Sequence, residues 1–523
     1  MNTTHKPLFQ TGVAGEYPDF LRDESRRSGR ADTISFARSE EDICEVLRAC
    51  LPVTTQGART GITGGAVPDG GHILNLSRMA GVTGLRAAPD GTEFFVTVQP
   101  GLPLCELRKM IQNRAFDTAD WSKESLQALA LFRESGLYFF PPDPTETSAS
   151  VGGMVACNAS GACTFRYGAT RQYVEALRVV LMGGEVISLR RGREKAKGRS
   201  YSVRTESGRV IEGTLPGYAM PSVKNASGFF AEENMDLVDL FVGSEGTLGV
   251  FSSIELRLIP RPACCVGVMA FFPSDDSAVG FVKTIRGLPS DRRPVAMEYF
   301  DGHALDLLRR EKAGNSSVEG IPALPETTHT AVYLEYHGEE DSVMDVVGDV
   351  PEWMAGVGGD AAASWIADSD SKLERFKLLR HAVPEAVNRV IDERRKQEPG
   401  LSKLGTDMAV PDRDLSTVLE MYRAGLNRTG LEFVIFGHIG NNHVHVNILP
   451  RSLEDYNRGK DLYLEWARRV IALGGTVSAE HGIGKFKVVL LREMLGEEGI
   501  RQMRDVKRVF DPSGLLNQGN LFA

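Results

Sequence analysis

Glycine is concentrated in three short segments of the chain, and this distribution constrains the fold more than any other feature. The segments are QGARTGITGG from Gln56 to Gly65, VGGMVACNASG from Val151 to Gly161 and VGSEGTLGV from Val242 to Val250. Successive glycines let backbone N–H groups converge on an anion such as a pyrophosphate, although any one segment alone is also compatible with a structural glycine turn. None has the spacing of a P-loop or of the GxGxxG fingerprint, so the pattern predicts an anion cradle of a different kind.

The apolar patterning changes character after Pro260 and Pro262. Before these prolines, β-type runs such as Leu177–Met182 and Leu240–Val242 mix with helical stretches and glycine turns. Beyond them the order strand, helix, strand recurs, which predicts helices packed on an antiparallel sheet. We therefore divide the chain into an N-terminal segment at residues 1–30, a first domain at 31–262, a second domain at 263–475 and a C-terminal segment at 476–523.

The composition narrows the classes of function. The chain has 523 residues, of which 42% are hydrophobic and 25% charged, as is ordinary for a globular enzyme. Its net charge of -9 disfavours nucleic acid as the main ligand. We find no run of about 18 apolar residues and therefore expect no transmembrane segment. The seven cysteines form no CxxC pair, which argues against an iron–sulfur cluster and fits a cytoplasmic protein.

Histidine is concentrated in the second half of the chain. FGHIGNNHVHVN, at residues 436–447, contains three of the ten histidines, and SAEHGIGK, at 478–485, adds a Glu-His pair. Two imidazoles and one carboxylate form the ligand set of a catalytic zinc site with an open position, and a neighbouring histidine suits a general base. Any one of these histidines alone is also compatible with a hydrogen-bonded core residue. The candidate residues are His438, His443, His445, Glu480 and His481.

The glycine-rich segments resemble the FAD-binding half of the vanillyl-alcohol oxidase superfamily. The resemblance rests on TQGARTGITGG, then FFPPDP followed by SVGGMVACNASG and RYG, then VGSEGTLGV, in this order. It implies a bound FAD, which we expect to be non-covalent because residues 56–65 contain no histidine. The cofactor-binding residues that the resemblance implies are Gly57, Ala58, Arg59, Thr60, Gly61, Thr63, Gly64, Pro142, Ser150, Gly152, Gly153, Asn158, Ser160, Tyr167, Gly168, Glu245, Gly249, Val250 and Asn517.

The histidine-rich segments resemble the substrate domain of the group containing D-lactate dehydrogenase, glycolate oxidase and D-2-hydroxyglutarate dehydrogenase. The group's pattern is GHxGxxNxHxN followed by EHGxG. By position it implies a divalent metal on His438, His445 and Glu480, with zinc expected first and manganese or iron as alternatives. His443 stands where the pattern has Asn. Strand parity alone favours His443 with His445, but Gly-Asn-Asn at 440–442 is expected to break the strand.

Two further segments extend the resemblance towards the substrate and the C-terminus. LRHAVPEAVN implies that Arg380 binds the substrate carboxylate, a task for which a guanidinium's fork geometry is suited. KLGTDMAVP supplies Lys403 as a second candidate cation. A solvated helix charge is the alternative for either residue. FDPSGLLNQG resembles the family's FDPxGxLNPG, with Gln518 in place of proline, and implies that Asn517 reaches back to the flavin.

Together these resemblances imply an α+β fold. It would have a two-part FAD-binding domain of the vanillyl-alcohol oxidase type, a separate α+β substrate (cap) domain and a C-terminal segment that returns to the flavin. The implied activity is oxidation of a D-2-hydroxy acid, such as a D-lactate-like acid, glycolate or D-2-hydroxyglutarate, to the 2-oxo acid. Hydride would pass to flavin N5, with metal assistance and His481 as base. The catalytic residues would be His481, Arg380, Lys403 and His443.

Two other classes of function are compatible with the same FAD fold. One is a non-catalytic FAD-bearing subunit of a larger oxidoreductase, and the other is a lyase resembling alkylglycerone-phosphate synthase. A carboxylate-binding Arg beside a His/His/Glu set favours the hydroxy-acid dehydrogenase over both.

The partners implied are a small 2-hydroxycarboxylate and an external electron acceptor. Quinone, cytochrome, electron-transfer flavoprotein and iron–sulfur subunit all remain candidates for the acceptor. We expect a cytoplasmic protein, with peripheral contact at the inner face of the membrane and a homodimer both left open. The charged segment at residues 190–217 is read as a solvated hairpin or insertion, with docking of an electron-transfer partner as the alternative.

Overall fold

The computed structural model describes residues 8–314, 320–326 and 328–522. The first half contains a small parallel sheet, a larger antiparallel sheet and a hairpin, and the second half contains one seven-stranded sheet. This architecture is the predicted α+β class. One apolar cluster extends from the strands of the first half to those of the second, so the two halves share part of their core.

The small parallel sheet supports the first glycine-rich segment. Its elements, with the short helix that precedes it, are α1 (Val13–Glu16), β1 (Thr33–Phe36), α2 (Glu40–Arg48), β2 (Val53–Gln56) and β3 (His72–Asn75). The strands lie in the order β1, β3, β2. Ser39 caps α2 by accepting a hydrogen bond from the backbone N–H of Asp42, and the apolar face of the helix is buried. Residues 57–65 follow β2 directly, so the end of this strand positions them.

The larger sheet of the first half is antiparallel. The strands between residues 82 and 260 are β4 (Val82–Ala87), β5 (Phe94–Val98), β6 (Tyr138–Phe139), β7 (Val174–Val180), β8 (Val186–Arg190), β9 (Ser200–Arg204), β10 (Val210–Thr214) and β11 (Val250–Pro260). The sheet order is β4, β5, β11, β7, β8, with β6 beside β11. Strands β9 and β10 form the hairpin expected in the charged segment.

Five helices accompany this sheet. They are α3 (Leu104–Asn113), α4 (Lys123–Glu134), α5 (Val151–Cys157), α6 (Thr164–Tyr167) and α7 (Val238–Phe241). Helix α7 shows that the prediction of a β-type run at Leu240–Val242 was wrong. Every residue of α7 is buried, so the apolar run reflects burial on all sides and not strand alternation.

The seven-stranded sheet of the second half is antiparallel throughout. Its strands are β12 (Cys264–Phe272), β13 (Ala296–Phe300), β14 (Thr330–Gly338), β15 (Asp360–Ala367), β16 (Leu404–Gly405), β17 (Phe433–His438) and β18 (His443–Ile448). They lie in the order β15, β12, β14, β13, β17, β18, β16. The accompanying helices are α8 (Asp275–Gly287), α9 (Gly302–Gly314), α10 (Glu340–Ala355), α11 (Asp370–Arg395), α12 (Leu415–Thr429) and α13 (Leu453–Ala472).

The C-terminal segment returns to the first half after helix α14 (Val488–Phe510). The backbone N–H of Val53 donates to Leu515 O at 2.8 Å, and the N–H of Asn517 donates to Val53 O at 2.8 Å. These bonds attach the segment to β2, directly before the first glycine-rich loop. No helix among the described residues combines the length and apolar character needed to cross a membrane.

Candidate active site

The buried side chain of Glu245 joins the third glycine-rich segment to the segment that follows the Glu-His pair. Its carboxylate accepts the backbone N–H groups of Ile483 and Gly484, both at 2.7 Å. The side-chain amide of Asn517 donates to Glu245 O at 2.8 Å, and its Oδ1 accepts the N–H of Thr55 at 2.7 Å. Burial raises the pKa of Glu245 to about 7, although the two N–H groups act in the opposite direction. Segments far apart in the sequence therefore converge here.

The first and second glycine-rich segments pack against each other. Ser150, at the start of α5, accepts the N–H of Ala58 at 3.3 Å. A Cβ on Gly57 would lie 2.0 Å from Ser150 Oγ, so only glycine allows this approach. Ser160 Oγ and Ser244 Oγ are buried and have no hydrogen-bond partner among the described residues. Close-packed small residues with spare polar groups fit a flat, anionic dinucleotide such as FAD.

Some of the predicted cofactor residues have protein contacts of their own. The guanidinium of Arg59 lies 4.2 Å from the ring centre of Phe20. A Cβ on Gly249 would lie 2.4 Å from Val179 Cγ1, so close packing against β7 requires this glycine. Tyr167 Oη lies 2.9 Å from His337 Nδ1, on the seven-stranded sheet. Sequence reasoning did not distinguish these packing roles from contacts with a cofactor.

The histidine-rich segment forms the hairpin of β17 and β18. His438 ends the first strand and pairs with His443, which begins the second. A 3-10 turn at Ile439–Asn441 separates them, which confirms the expected break in the strand. Because His438 pairs with His443 across the turn, it lies on the same face of the sheet as His443 and His445, although positions 438 and 445 differ in parity. One ring nitrogen of each of the three histidines and an oxygen of Glu480 all lie within 4.8 Å of one another.

Two of these histidines contact Glu480 directly, and His438 also contacts a second carboxylate on its other side. His438 Nε2 lies 3.1 Å from Glu480 Oε2, and His445 Nε2 lies 3.3 Å from Glu480 Oε1. On the outer side, His438 Nδ1 lies 2.6 Å from Glu298 Oε1. Burial lowers the pKa of His438, but Glu298 and Glu480 outweigh this and raise it to about 9. The pKa of Glu480 lies well below its usual range; burial opposes this shift, and the charges of His438 and Lys224 drive it.

His481 is the most accessible member of the group. Its side chain is 31% exposed, its Nε2 lies 3.4 Å from Glu480 Oε1, and its Nδ1 lies 3.3 Å from Asp407 Oδ2. Asp407 is buried and also accepts the side-chain hydroxyl of Ser478 at 2.6 Å and the ammonium of Lys487 at 2.5 Å. Asp407 therefore anchors the turn that carries the Glu-His pair.

Sequence reasoning missed three charged residues of this site. Lys224 has a side chain only 2% exposed, and its Nζ lies 2.6 Å from Glu480 Oε2. Glu298 lies behind His438, and Asp407 lies behind His481. Asp407 belongs to the segment that supplied Lys403, so a buried carboxylate among apolar neighbours was a usable signal. Nothing near Lys224 or Glu298 in the sequence indicates their partners.

The two predicted substrate cations differ in their placement. Arg380 lies on α11 with its guanidinium 5.5 Å from the ring centre of Tyr333, and its Nε is buried without a hydrogen-bond partner among the described residues. Burial lowers the pKa of Arg380, but the nearby charge of Glu298 and others raise it overall. Burial and Arg26 lower the pKa of Lys403 to about 8. The charge of Glu298 therefore acts on both Arg380 and His438, whereas Arg26 is the charge that acts on Lys403.

Family models match both halves of the chain, and known proteins resemble it over nearly its full length. The model described as FAD linked oxidases, C-terminal domain, matches residues 261–521, and the FAD binding domain model matches residues 31–123 and 124–190. The D-lactate dehydrogenase of Anaerostipes hadrus is 28% identical and covers 96% of this chain and 92% of its own. The Danio rerio protein named "Probable D-lactate dehydrogenase, mitochondrial" is 30% identical, covering 96% of this chain and 86% of its own.

A solved structure of alkyldihydroxyacetonephosphate synthase has the same fold. It superposes with a TM-score of 0.60 at 15% sequence identity and covers 94% of this chain and 77% of that chain. At this identity the likeness concerns the fold alone. The family matches and the near full-length relatives go further, because they include both the cofactor half and the histidine-rich half. The chain belongs to the family of FAD-linked oxidases and has that family's FAD-binding domain.

Proposed function

We propose that this protein is an FAD-dependent dehydrogenase that oxidises a D-2-hydroxy acid to the 2-oxo acid. The observation that carries the proposal is the contact between the first glycine-rich loop and the Glu-His turn. Thr63 Oγ1 donates to His481 O at 3.4 Å, and the N–H of Lys485 donates to Thr63 O at 2.9 Å. This contact brings a cofactor cradle and an acid–base cluster together. The D-lactate dehydrogenases named above support the substrate class.

The cofactor and a metal have separate places in this proposal. The three glycine-rich segments would hold FAD, which supplies a hydride acceptor when it is bound. A divalent metal would be held by His438, His445 and Glu480, and such an ion polarises an oxygen ligand. The donor set fits, because two imidazoles and a carboxylate are ligands that zinc, iron and manganese all accept. Zinc is the ion that the sequence resemblance names first, with manganese and iron as its alternatives.

Arg380 would bind the substrate carboxylate. A guanidinium makes two parallel hydrogen bonds to a carboxylate, which fixes the orientation of the neighbouring carbon. Its Nε has no partner among the described residues, so Arg380 retains a donor for this purpose. The charge of Glu298 acts on the pKa of Arg380, and Glu298 also contacts His438 at 2.6 Å, which supports a substrate carboxylate on Arg380 with the 2-hydroxyl at the histidine cluster.

His481 would take the proton of the 2-hydroxyl. Asp407 Oδ2 lies 3.3 Å from Nδ1 and would hold the proton of the resting imidazole there, so that Nε2, which faces Glu480, would be the nitrogen that accepts. Loss of the hydroxyl proton to His481 and of the C2 hydride to the cofactor converts the alcohol into a ketone, which balances protons and electrons. Lys403 and His443 complete the proposed catalytic set.

The first experiment is an anaerobic screen of the FAD-loaded protein against D- and L-2-hydroxy acids. Bleaching of the flavin absorption band by a D-acid is the expected result and would identify the substrate. Absence of bleaching by every acid, with FAD and metal both bound, would favour the relay subunit or the lyase instead.

The second experiment tests the proposed base. His481→Ala should abolish bleaching while FAD stays bound, whereas substitution of the exposed His329 by Ala should leave bleaching unchanged. Normal bleaching by His481→Ala would remove His481 from the base role.

The electrons would leave through a partner outside the chain. All seven cysteines are free thiols, and their positions do not form a cluster site among the described residues. We therefore propose an external acceptor such as a quinone, a cytochrome, an electron-transfer flavoprotein or an iron–sulfur subunit.

We propose domain limits at residues 31–262, 263–475 and 476–523.

A further inference from the structure

We propose that His443 is a fourth protein ligand of the metal, so that the centre consists of three imidazoles and one carboxylate. This residue stands where the group's sequence pattern has Asn, and in this chain it lies in the histidine cluster. The assignment presupposes the metal of the proposed function, and it concerns the coordination of that ion alone. It rests on which nitrogen of each ring is free to bind.

The two expected histidine ligands show the arrangement that a metal requires. The outer nitrogen of His438 lies 2.6 Å from the Glu298 carboxylate, and the outer nitrogen of His445 lies 2.8 Å from the backbone oxygen of Thr406. Both acceptors lack a proton, so each ring carries its proton on the outer Nδ1. Each Nε2 therefore faces Glu480, and a metal ion that binds there replaces any proton on this nitrogen. Metal-binding histidines typically have such an outer partner, which fixes the tautomer.

His443 is held in the same way, with the two ring nitrogens exchanged. Its Nε2 lies 2.9 Å from Asp407 Oδ1, and both side chains are at most 1% exposed. Both carboxylate oxygens of Asp407 act as acceptors, since Oδ2 accepts the ammonium of Lys487 at 2.5 Å and Oδ1 accepts the N–H of Glu480 at 3.2 Å. Nε2 therefore faces this carboxylate, and Nδ1, which lies 3.4 Å from the donating ammonium of Lys224, is the nitrogen without a proton.

This free nitrogen of His443 faces Glu480 together with the other two. His443 Nδ1 lies 3.9 Å from Glu480 Oε2, compared with 3.1 Å for His438 Nε2 to the same oxygen. All four donor atoms lie within 4.8 Å of one another. Ligands about 2.0–2.2 Å from a common ion lie at most about 4.4 Å apart, so the donor atoms would move slightly closer together when an ion binds.

A cation already interacts with these atoms. The ammonium of Lys224 lies 2.6 Å from Glu480 Oε2 and 3.4 Å from His443 Nδ1. An ammonium only donates hydrogen bonds, so Nδ1 must be the acceptor in that contact. The position between His443 and Glu480 therefore suits a positive charge, and a divalent ion would share it with Lys224 or displace the ammonium.

A set of four protein ligands limits which metal ion can still bind a substrate oxygen. A four-coordinate zinc would be closed by them, as in structural sites, whereas a catalytic ion keeps an open position. The ion in this centre must then be five- or six-coordinate when a substrate oxygen binds. This favours an ion that readily accepts six ligands, such as manganese, iron or cobalt, over tetrahedral zinc.

Cobalt substitution tests the assignment without relying on turnover. The FAD-loaded protein, stripped of metal and reloaded with Co²⁺, should show the weak visible bands of a five- or six-coordinate ion. His443→Asn should change these bands and weaken cobalt binding by more than about 100-fold, the upper end of what loss of an outer partner costs. His337→Asn is the matched control, since it removes another largely buried histidine that pairs with a carboxylate, Glu335, outside the cluster.

Bound FAD reports that the variant is folded. An unchanged spectrum of His443→Asn at saturating cobalt overturns the assignment, whatever the affinity. The wild-type protein gives a second measurement, because pulsed EPR of the Cu²⁺-loaded centre counts coordinated imidazoles, and two instead of three would overturn it as well. A wild-type protein that binds no divalent ion would contradict the proposed metal itself, whereas a bound ion with unchanged bands contradicts only the role of His443.

Discussion

Replacement of Asp407 by Asn should destabilise the protein more than any comparable surface substitution. The Asp407 carboxylate pairs with the ammonium of Lys487 at 2.5 Å, and the two side chains are 1% and 12% exposed. Asn keeps the shape but removes the charge, which leaves a nearly buried ammonium without its counter-ion. Breaking such a pair by changing one partner costs about 3 to 5 kcal/mol.

The matched control is Asp349→Asn. Asp349 pairs with Arg292 at the same 2.5 Å, but the two side chains are 46% and 32% exposed. Because water screens this pair, its loss should cost less than about 1 kcal/mol. Urea unfolding of both variants, followed by tryptophan fluorescence, measures the difference. Equal unfolding midpoints for the two variants would show that Asp407 does not organise the site.

The same substitution should also affect the reaction. Asp407 has one carboxylate oxygen beside Nδ1 of His481 and the other beside Nε2 of His443. The side chain of Asn has only one oxygen, so it cannot offer an acceptor to both rings. Loss of an orienting carboxylate in a comparable triad reduces the rate by about 10⁴-fold. Anaerobic flavin reduction by the substrate found in the screen should slow towards that extent, with FAD still bound. A rate within a few fold of wild type would refute this role.

Three further substitutions test other parts of the structure. Glu298→Gln should weaken metal binding by about 10- to 100-fold, measured by chelator competition, because it replaces the ionised outer partner of His438. Burial lowers the pKa of His337, but Cys265 and Glu335 outweigh this and raise it from 6.5 to about 9. The protonated ring therefore stabilises the fold fully below pH 6.5, and this contribution is lost as the pH rises through about 9; the difference in Tm between wild type and His337→Gln should shrink over that range. Lys507→Met should lower the fraction of protein that retains FAD after gel filtration, because the buried Lys507 ammonium bonds Thr247 O and Leu516 O, both at 2.9 Å, and joins a cofactor segment to the C-terminal return. Unchanged metal affinity, a Tm difference independent of pH and full FAD retention would contradict these three expectations in turn.

The placement of the two predicted cations shows a limit of motif reasoning. Arg380 and Lys403 both belong to recognisable segments, and the sequence predicts both as candidate cations for the substrate. Against the effect of burial, the charge of Glu298 raises the pKa of Arg380, whereas burial and the charge of Arg26, from the N-terminal segment, lower the pKa of Lys403. Charge type is a local property, but the neighbours of a charge depend on how distant segments pack.

The sequence by itself determined the features that depend on a few adjacent residues. These are the three glycine-rich loops, the histidine hairpin and the Glu-His turn, because each loop conformation and each short donor spacing is encoded within about ten positions. The α+β class followed in the same way, from alternating runs and their order.

Only the tertiary structure decided which charges complete the site. Lys224 and Glu480 are 256 positions apart, and Glu298 and His438 are 140 apart. Their contacts depend on the register of β13 against β17 and on the packing of a loop from the first half, neither of which produces a periodic signal in the sequence. The same holds for His443, whose Nε2 lies 2.9 Å from Asp407 Oδ1, because such a neighbour depends on position in space and not on spacing along the chain.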